Sequence, residues 1–251
     1  MNIFDASILF IGSLIANTLA SLSGGGAGLL QFPLLIFLGL PFSIALGTHK
    51  IASVALGLGA AYTHIKNKTC NLRLALFITI TGCFGVILGA NVVLLIPEAI
   101  ATKTLGVMIL CLGIYSRLKK SLGHIEEPTN RTPIGFFIGA LGLFTIGIIN
   151  GSLTAGSGLL VTLFLVRWFG LSYKQSVAYT MLCVGIVWNG IGGMSIAAAG
   201  APIYWQWIPI LLLSSFLGGS IGAHIALKRS NKTIKVCFEI LTFAVGIKLV
   251  I

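Results

Sequence analysis

"SLSGGGAGLLQFP", Ser21 to Pro33, interrupts a run of apolar residues that starts close to the first residue of the chain. Three successive glycines, Gly24 to Gly26, fall where breaking a membrane helix costs most, because lipid offers no partner to a freed backbone group. That the surroundings are lipid follows from composition. Of 251 residues, 57% are hydrophobic and 8% are charged, with a mean hydropathy of +1.04; a soluble domain carries about 25% charged residues. Apolar stretches long enough for spanning helices recur, without the strict alternation of a membrane barrel. The fold class is therefore all-α, a polytopic integral membrane protein.

The net charge of +11 does not indicate a nucleic-acid partner. The basic residues cluster between apolar runs, as in cytoplasmic loops, and no nucleic-acid-binding motif is present. The five cysteines (Cys70, Cys83, Cys111, Cys183, Cys237) are scattered and lack CxxC spacing, so neither a metal site nor a disulfide framework is expected, and no cofactor motif appears. The N-terminal MNIFDASILF has no basic residue before its apolar run, so the first helix is read as retained rather than cleaved.

Glycine, proline and charge divide the chain into ten segments: 4–22, 28–39, 43–65, 72–95 and 99–117, then 134–152, 156–169, 173–198, 207–227 and 233–251. A spanning helix needs roughly 20 residues, so the second segment of each half reads as a half-helix or the return arm of a re-entrant hairpin. The halves resemble each other. GGGAGLL (Gly24–Leu30) matches TAGSGLL (Thr154–Leu160), GVILGA (Gly85–Ala90) matches GGSIGA (Gly218–Ala223), and LGI at Leu112 matches VGI at Val245, with offsets of 130 to 133 residues. Landmarks kept in order predict a duplication. The expected organisation is one membrane transport domain over 1–251, with repeat one at 1–118, a cytoplasmic linker at 119–133 and repeat two at 134–251.

Positive charge sets the orientation. Lys66, Lys68 and Arg73; Arg117, Lys119, Lys120 and Arg131; Arg167 and Lys174; and Lys228, Arg229, Lys232 and Lys235 form four clusters. Five passes per half put all four on one side, whereas four passes per half do not. An odd count makes the second half inverted relative to the first and both termini extracytoplasmic.

Irregular backbone inside a bilayer survives only where it lines a cavity or is buried in protein. Each helix restarting after a break presents N–H groups and the positive end of its dipole, which suits an anion. The candidate substrate-binding residues are Ser23, Gly24, Gly25, Gly26 and Gly28 in the first half, and Asn150, Thr154, Gly156, Ser157, Gly158 and Asn189 in the second. GTHKIASV adds Thr48, His49 and Lys50. Lys50 lies roughly 10 Å in from Ser43 at 1.5 Å per residue, and an ionisable residue at such depth is a functional candidate. His49 and Glu239 are candidates for ion coupling, by proton or sodium.

At these residues the chain resembles the TauE/SafE family, the sulfite-exporter family of membrane permeases, over essentially its whole length. The resemblance rests on GGGAGLLQFPLLIFLGLPFSIALGTHKIAS, INGSLTAGSGLL and WNGIGG, and above all on the Gly-rich run, the proline a few residues on, and the pattern of Ala45, Gly47, Thr48 and Lys50. It implies a permease of the bacterial inner membrane for small, often sulfur-containing anions such as sulfite or an organosulfonate. The chain departs from a common form in having His49 where asparagine is frequent, and in lacking a basic residue near Thr180. A passive channel and a membrane scaffold are the alternatives. An intramembrane serine protease using Ser157 in AGSG with His224 as base is a remote one, since Ala155 breaks the Gly-x-Ser-Gly turn. The expected partners are a small anion and the bilayer. Homo-oligomerisation is open.

Overall fold

The computed structural model describes residues 3–25, 27–66, 70–92, 97–119, 123–154 and 156–250. Among them every regular element is helical: α1 (Ile3–Ser23), α2 (Ala27–Phe37), α3 (Phe42–Lys66), α4 (Leu72–Val92), α5 (Glu98–Leu118), α6 (Pro133–Leu153), α7 (Ser157–Phe169), α8 (Tyr173–Ala198), α9 (Ile208–Lys228) and α10 (Asn231–Val250). Six of these, α1, α3, α4, α6, α8 and α9, are long and apolar enough to cross a membrane. With α2 and α7 short, this is the segment pattern read from the sequence, and the chain is an all-α, multi-pass membrane protein.

Local chemistry sets the helix ends. Thr132 caps α6 through Gly135 N at 3.1 Å, with Pro133 at the first helical position. Ser172 and Gln175 form a capping box at the start of α8. α7 ends on Gly170 in the left-handed region. Within α8, Thr180–Trp188 is wound as a π-helix, a distortion that often accompanies function.

Packing fixes the relative directions of the helices. Asn17 bonds Ser215 and Ser21 bonds Gly219 O, so α1 runs parallel to α9. α4 runs parallel to α6, with Gly82 against Gly147 and Gly89 against Ile148. Asn71, Ala75 and Thr79 meet Tyr179, Cys183 and Trp188 in order, so α4 is also parallel to α8. α3 is antiparallel to α8, with Gly57 against Gly185 and Lys50 against Gly192. α5 and α10 are antiparallel, joined by Ser116–Glu239 at one level and Leu110 against Gly246 at another. Exchanging helices one to five for six to ten maps the α1–α9 pair onto α6–α4, while α3–α8 and α5–α10 map onto themselves.

One end of the bundle gathers the basic clusters. Lys235 Nζ donates to Lys119 O at 2.7 Å, Lys174 Nζ to Leu227 O at 3.0 Å, Arg167 Nε to Tyr115 OH at 2.7 Å and Arg131 to Phe169 O. At the other end the turn after α2 and the loop before α9 pack together through Leu40, Phe42, Tyr204 and Trp207.

Candidate functional site

The two breaks meet. α1 closes with both Gly24 N and Gly25 N on Ala20 O, at 3.0 and 2.8 Å, and the chain leaves through positive φ at both glycines. The second break turns on Thr154, at φ 59°, and on Gly156, at φ 77°. A β-carbon on Gly25 would stand 2.6 Å from backbone atoms of Gly158. Only glycine lets the two crossings touch in this way. α2 and α7 therefore start at a common junction and run to opposite ends of the bundle.

A cavity of about 30 Å³ lies at this junction, walled by Gly25, Gly28, His49, Ser53, Asn150, Thr154, Ser157, Gly158, Thr180 and Asn189. That is space for about two water molecules. Behind Asn150, Lys50 is fully buried, and its Nζ donates to Asn150 O at 2.7 Å and Asn150 Oδ1 at 3.2 Å. Among the described residues its amine meets no carboxylate. Asn150 Nδ2 donates to Ser157 Oγ at 2.8 Å, and Ser157 Oγ donates to Thr154 O at 2.8 Å. Asn189 Oδ1 stands 3.5 Å from Asn150 Nδ2. The start of α7 is thus tied to the end of α6 through the residue that holds the lysine.

Most of the residues read from the sequence come together here, though not all face the cavity. Gly25, Gly28, His49, Asn150, Thr154, Ser157, Gly158 and Asn189 line it; Lys50 stands behind it and Gly156 shapes the turn. Gly24 turns its carbonyl away to Thr162 Oγ1, and Ser23 Oγ donates to Leu19 O at 2.8 Å and Gly25 O at 3.1 Å, supporting the break. Thr48 points elsewhere: its hydroxyl accepts from Tyr204 N at 2.9 Å. Gly26 lies outside the described residues. Glu239 does not line the cavity; it is buried near the basic end, where Arg117 at 3.2 Å, Lys235 at 3.5 Å and Ser116 at 3.1 Å hold it. His224 lies beside Tyr62, Thr63 and Lys228, away from Ser157, so that pair forms no nucleophile and base.

The sequence reading passed over Gln31, Ser53, Thr162 and Gly185. Gln31 Oε1 stands 2.7 Å from His49 Nδ1, Ser53 Oγ stands 3.2 Å from His49 Nε2, and Thr162 Oγ1 lies 2.9 Å from Thr180 Oγ1. A glutamine in an apolar half-helix and a serine four residues after His49 were the available signals. At the basic end a wider pocket of about 610 Å³ is lined by Asn71, Arg73, Glu126, Arg131, Gln175 and Tyr179, the last adjoining the cavity-wall residue Thr180. Cys70 lies at its rim, and burial pushes its thiol up to about 11.

A lipid-embedded bundle built around two broken helices and a buried lysine has the form of a multi-pass membrane transporter. The family model for the sulfite exporter TauE/SafE matches residues 9–249, and the chain belongs to that family. A Haemophilus influenzae protein named a probable membrane transporter protein is 28% identical over 97% of this chain and 94% of its own length. The Sinorhizobium probable membrane transporter protein ORF9 is 25% identical over 97% of this chain and 91% of its own. The Escherichia coli probable membrane transporter protein YfcA is 25% identical over 96% and 88%. No solved structure matches the chain.

Proposed function

We propose that the chain is a secondary transporter of a small anion, bound where the two broken helices meet and balanced by Lys50. The observation that carries this reading is the Lys50 amine, fully buried and, among the described residues, answered only by the neutral oxygens of Asn150. A buried ammonium without a counter-charge costs several kcal/mol, and the N-termini of α2 and α7 add positive potential at the same place. An anion supplies what the site lacks. The family's name points to sulfite, and a small organosulfonate is the second candidate that the sequence resemblance implies.

Helix directions support an inverted duplication, with 1–118 and 134–251 as the repeats of one transport domain. α1 runs parallel to α9 and α6 parallel to α4, and α3 opposes α8, so each helix of the first half opposes its counterpart in the second. At 1.5 Å per residue α2 and α7 are ~16 and ~20 Å long, together ~36 Å against a hydrocarbon core of ~30 Å, which supports a junction near mid-membrane. The basic end faces the cytoplasm by the positive-inside rule; α1 begins and α10 ends at the other face. The cavity is too small for a sulfonate, and on the basic side Thr162 bridges Gly24 and Thr180. Passage therefore requires the halves to rock apart on alternate faces, as in a carrier rather than an open channel. The test is saturable uptake of labelled sulfite, thiosulfate, sulfonates and carboxylates into proteoliposomes. Saturable transport of at least one anion is expected; equal, unsaturable leak of all of them refutes the carrier.

A further inference from the structure

His49 ends a buried polar chain that anion binding does not account for. Gln31 Nε2 donates to Ser13 Oγ and, at 3.1 Å, to Ser215 Oγ. Both hydroxyls also receive Asn17 Nδ2, at 3.2 and 3.1 Å, and Ser214 Oγ donates to Ser13 Oγ at 2.9 Å. All five residues are buried. Four helices, α1, α2, α3 and α9, thus meet through polar groups on the side of His49 remote from the cavity. Packing in lipid does not require so many polar groups, and a buried hydrogen-bonded network of this kind fixes one geometry for the group at its end.

Resting on the anion reading above, the geometry points to His49 as the carrier of a coupling proton and Gln31 as its positioning residue. With Gln31 Oε1 accepting from Nδ1–H, the lone pair of the neutral imidazole is at Nε2, beside Ser53 and the cavity. Lys50, next to it on α3, is the charged group at hand. Across the cavity Asn150, Ser157, Thr180 and Asn189 do not titrate; α2 presents Gln31 and Phe32, and α1 and α9 reach the ring through Gln31. Two buried cations at Lys50 and His49 repel each other unless a negative charge lies between them. An anion entering the cavity supplies it, and one proton from the same aqueous side adds to Nε2, leaving the net charge of the site unchanged. The imidazolium then donates from both nitrogens, to Gln31 Oε1 and toward the anion. When the anion departs on the opposite side, the Nε2 proton leaves with it and the neutral ring is restored. Asn17 Oδ1, buried and without a hydrogen-bond partner among the described residues, is a spare acceptor as the cluster readjusts.

Pyranine-loaded proteoliposomes, clamped with valinomycin, are given radiolabelled methanesulfonate or sulfite, and protons and anions entering are counted on the same vesicles. Wild type is expected to admit about one proton per methanesulfonate. His49→Gln and Gln31→Met are expected to lower that ratio several-fold. A Gln31 that merely supports the fold would reduce the number of active molecules and leave the ratio unchanged, which overturns its role. Anion uptake by wild type without protons refutes the inference alone. Absence of uptake for every anion refutes the anion reading and the inference with it. Should His49→Gln carry no anion, the wild-type and Gln31→Met ratios decide.

Discussion

Replacing Gly25 by alanine strikes the contact that joins the two breaks. The backbone there has φ of 126°, which costs a residue with a side chain about 1–3 kcal/mol. The added β-carbon would also lie 2.6 Å from Cα and the carbonyl carbon of Gly158. Those atoms belong to the backbone of α7 and cannot rotate away, so relief means shifting α7, at about 1–3 kcal/mol more. The sum is about 2–6 kcal/mol, and a mid-range 4 kcal/mol lowers the melting temperature by about 8–16 °C in a chain of this length. Gly158→Ala carries only the second part, since Gly158 is helical and its β-carbon would meet Gly25 Cα at 2.8 Å. Thermal unfolding in detergent should therefore rank wild type, Gly158→Ala and Gly25→Ala in falling order, with transport lost in step. Equal melting temperatures and wild-type transport in Gly25→Ala would show that the crossings do not touch.

Asn150→Asp places a carboxylate where Oδ1 lies 3.2 Å from the Lys50 amine; an internal counter-ion then replaces the anion, and equilibrium binding of sulfite should weaken by about 100-fold while the protein stays folded. Thr162→Val removes the hydroxyl that bridges Gly24 O and Thr180, which should cost about 1–2 kcal/mol and raise leak toward the basic face, read as efflux from loaded vesicles. Cys70 should resist alkylation at neutral pH: with its thiol pushed up from 9.0 to about 11, its thiolate fraction is about 100-fold below that of an ordinary thiol. Site-resolved mass spectrometry should find the labelling rate rising tenfold per pH unit until pH approaches that value; rapid labelling at pH 7 would contradict the burial.

Ten segments and the two short ones among them were legible because lipid enforces length and apolarity residue by residue, and because glycine marks a break. Lys50, Asn150 and Ser157 were legible because polar groups are costly within such segments. Other features were not. The π-helical winding of α8 leaves the composition of Thr180–Trp188 indistinguishable from an ordinary helix. Thr154 adopts a positive φ that its side chain does not advertise. Thr48 shares a motif with Lys50 but, two positions along a helix, faces a different way. The cluster behind His49 draws Ser13 and Ser215 from opposite ends of the chain, and only folding brings them together.

The central claim is that the broken helices and Lys50 hold one anion. Equilibrium binding of labelled sulfite and methanesulfonate to purified protein, wild type against Lys50→Met, measures it directly. Saturation near one anion per chain in wild type, lost in a Lys50→Met protein of unchanged helicity, is the predicted result. Undiminished binding in Lys50→Met would contradict the account.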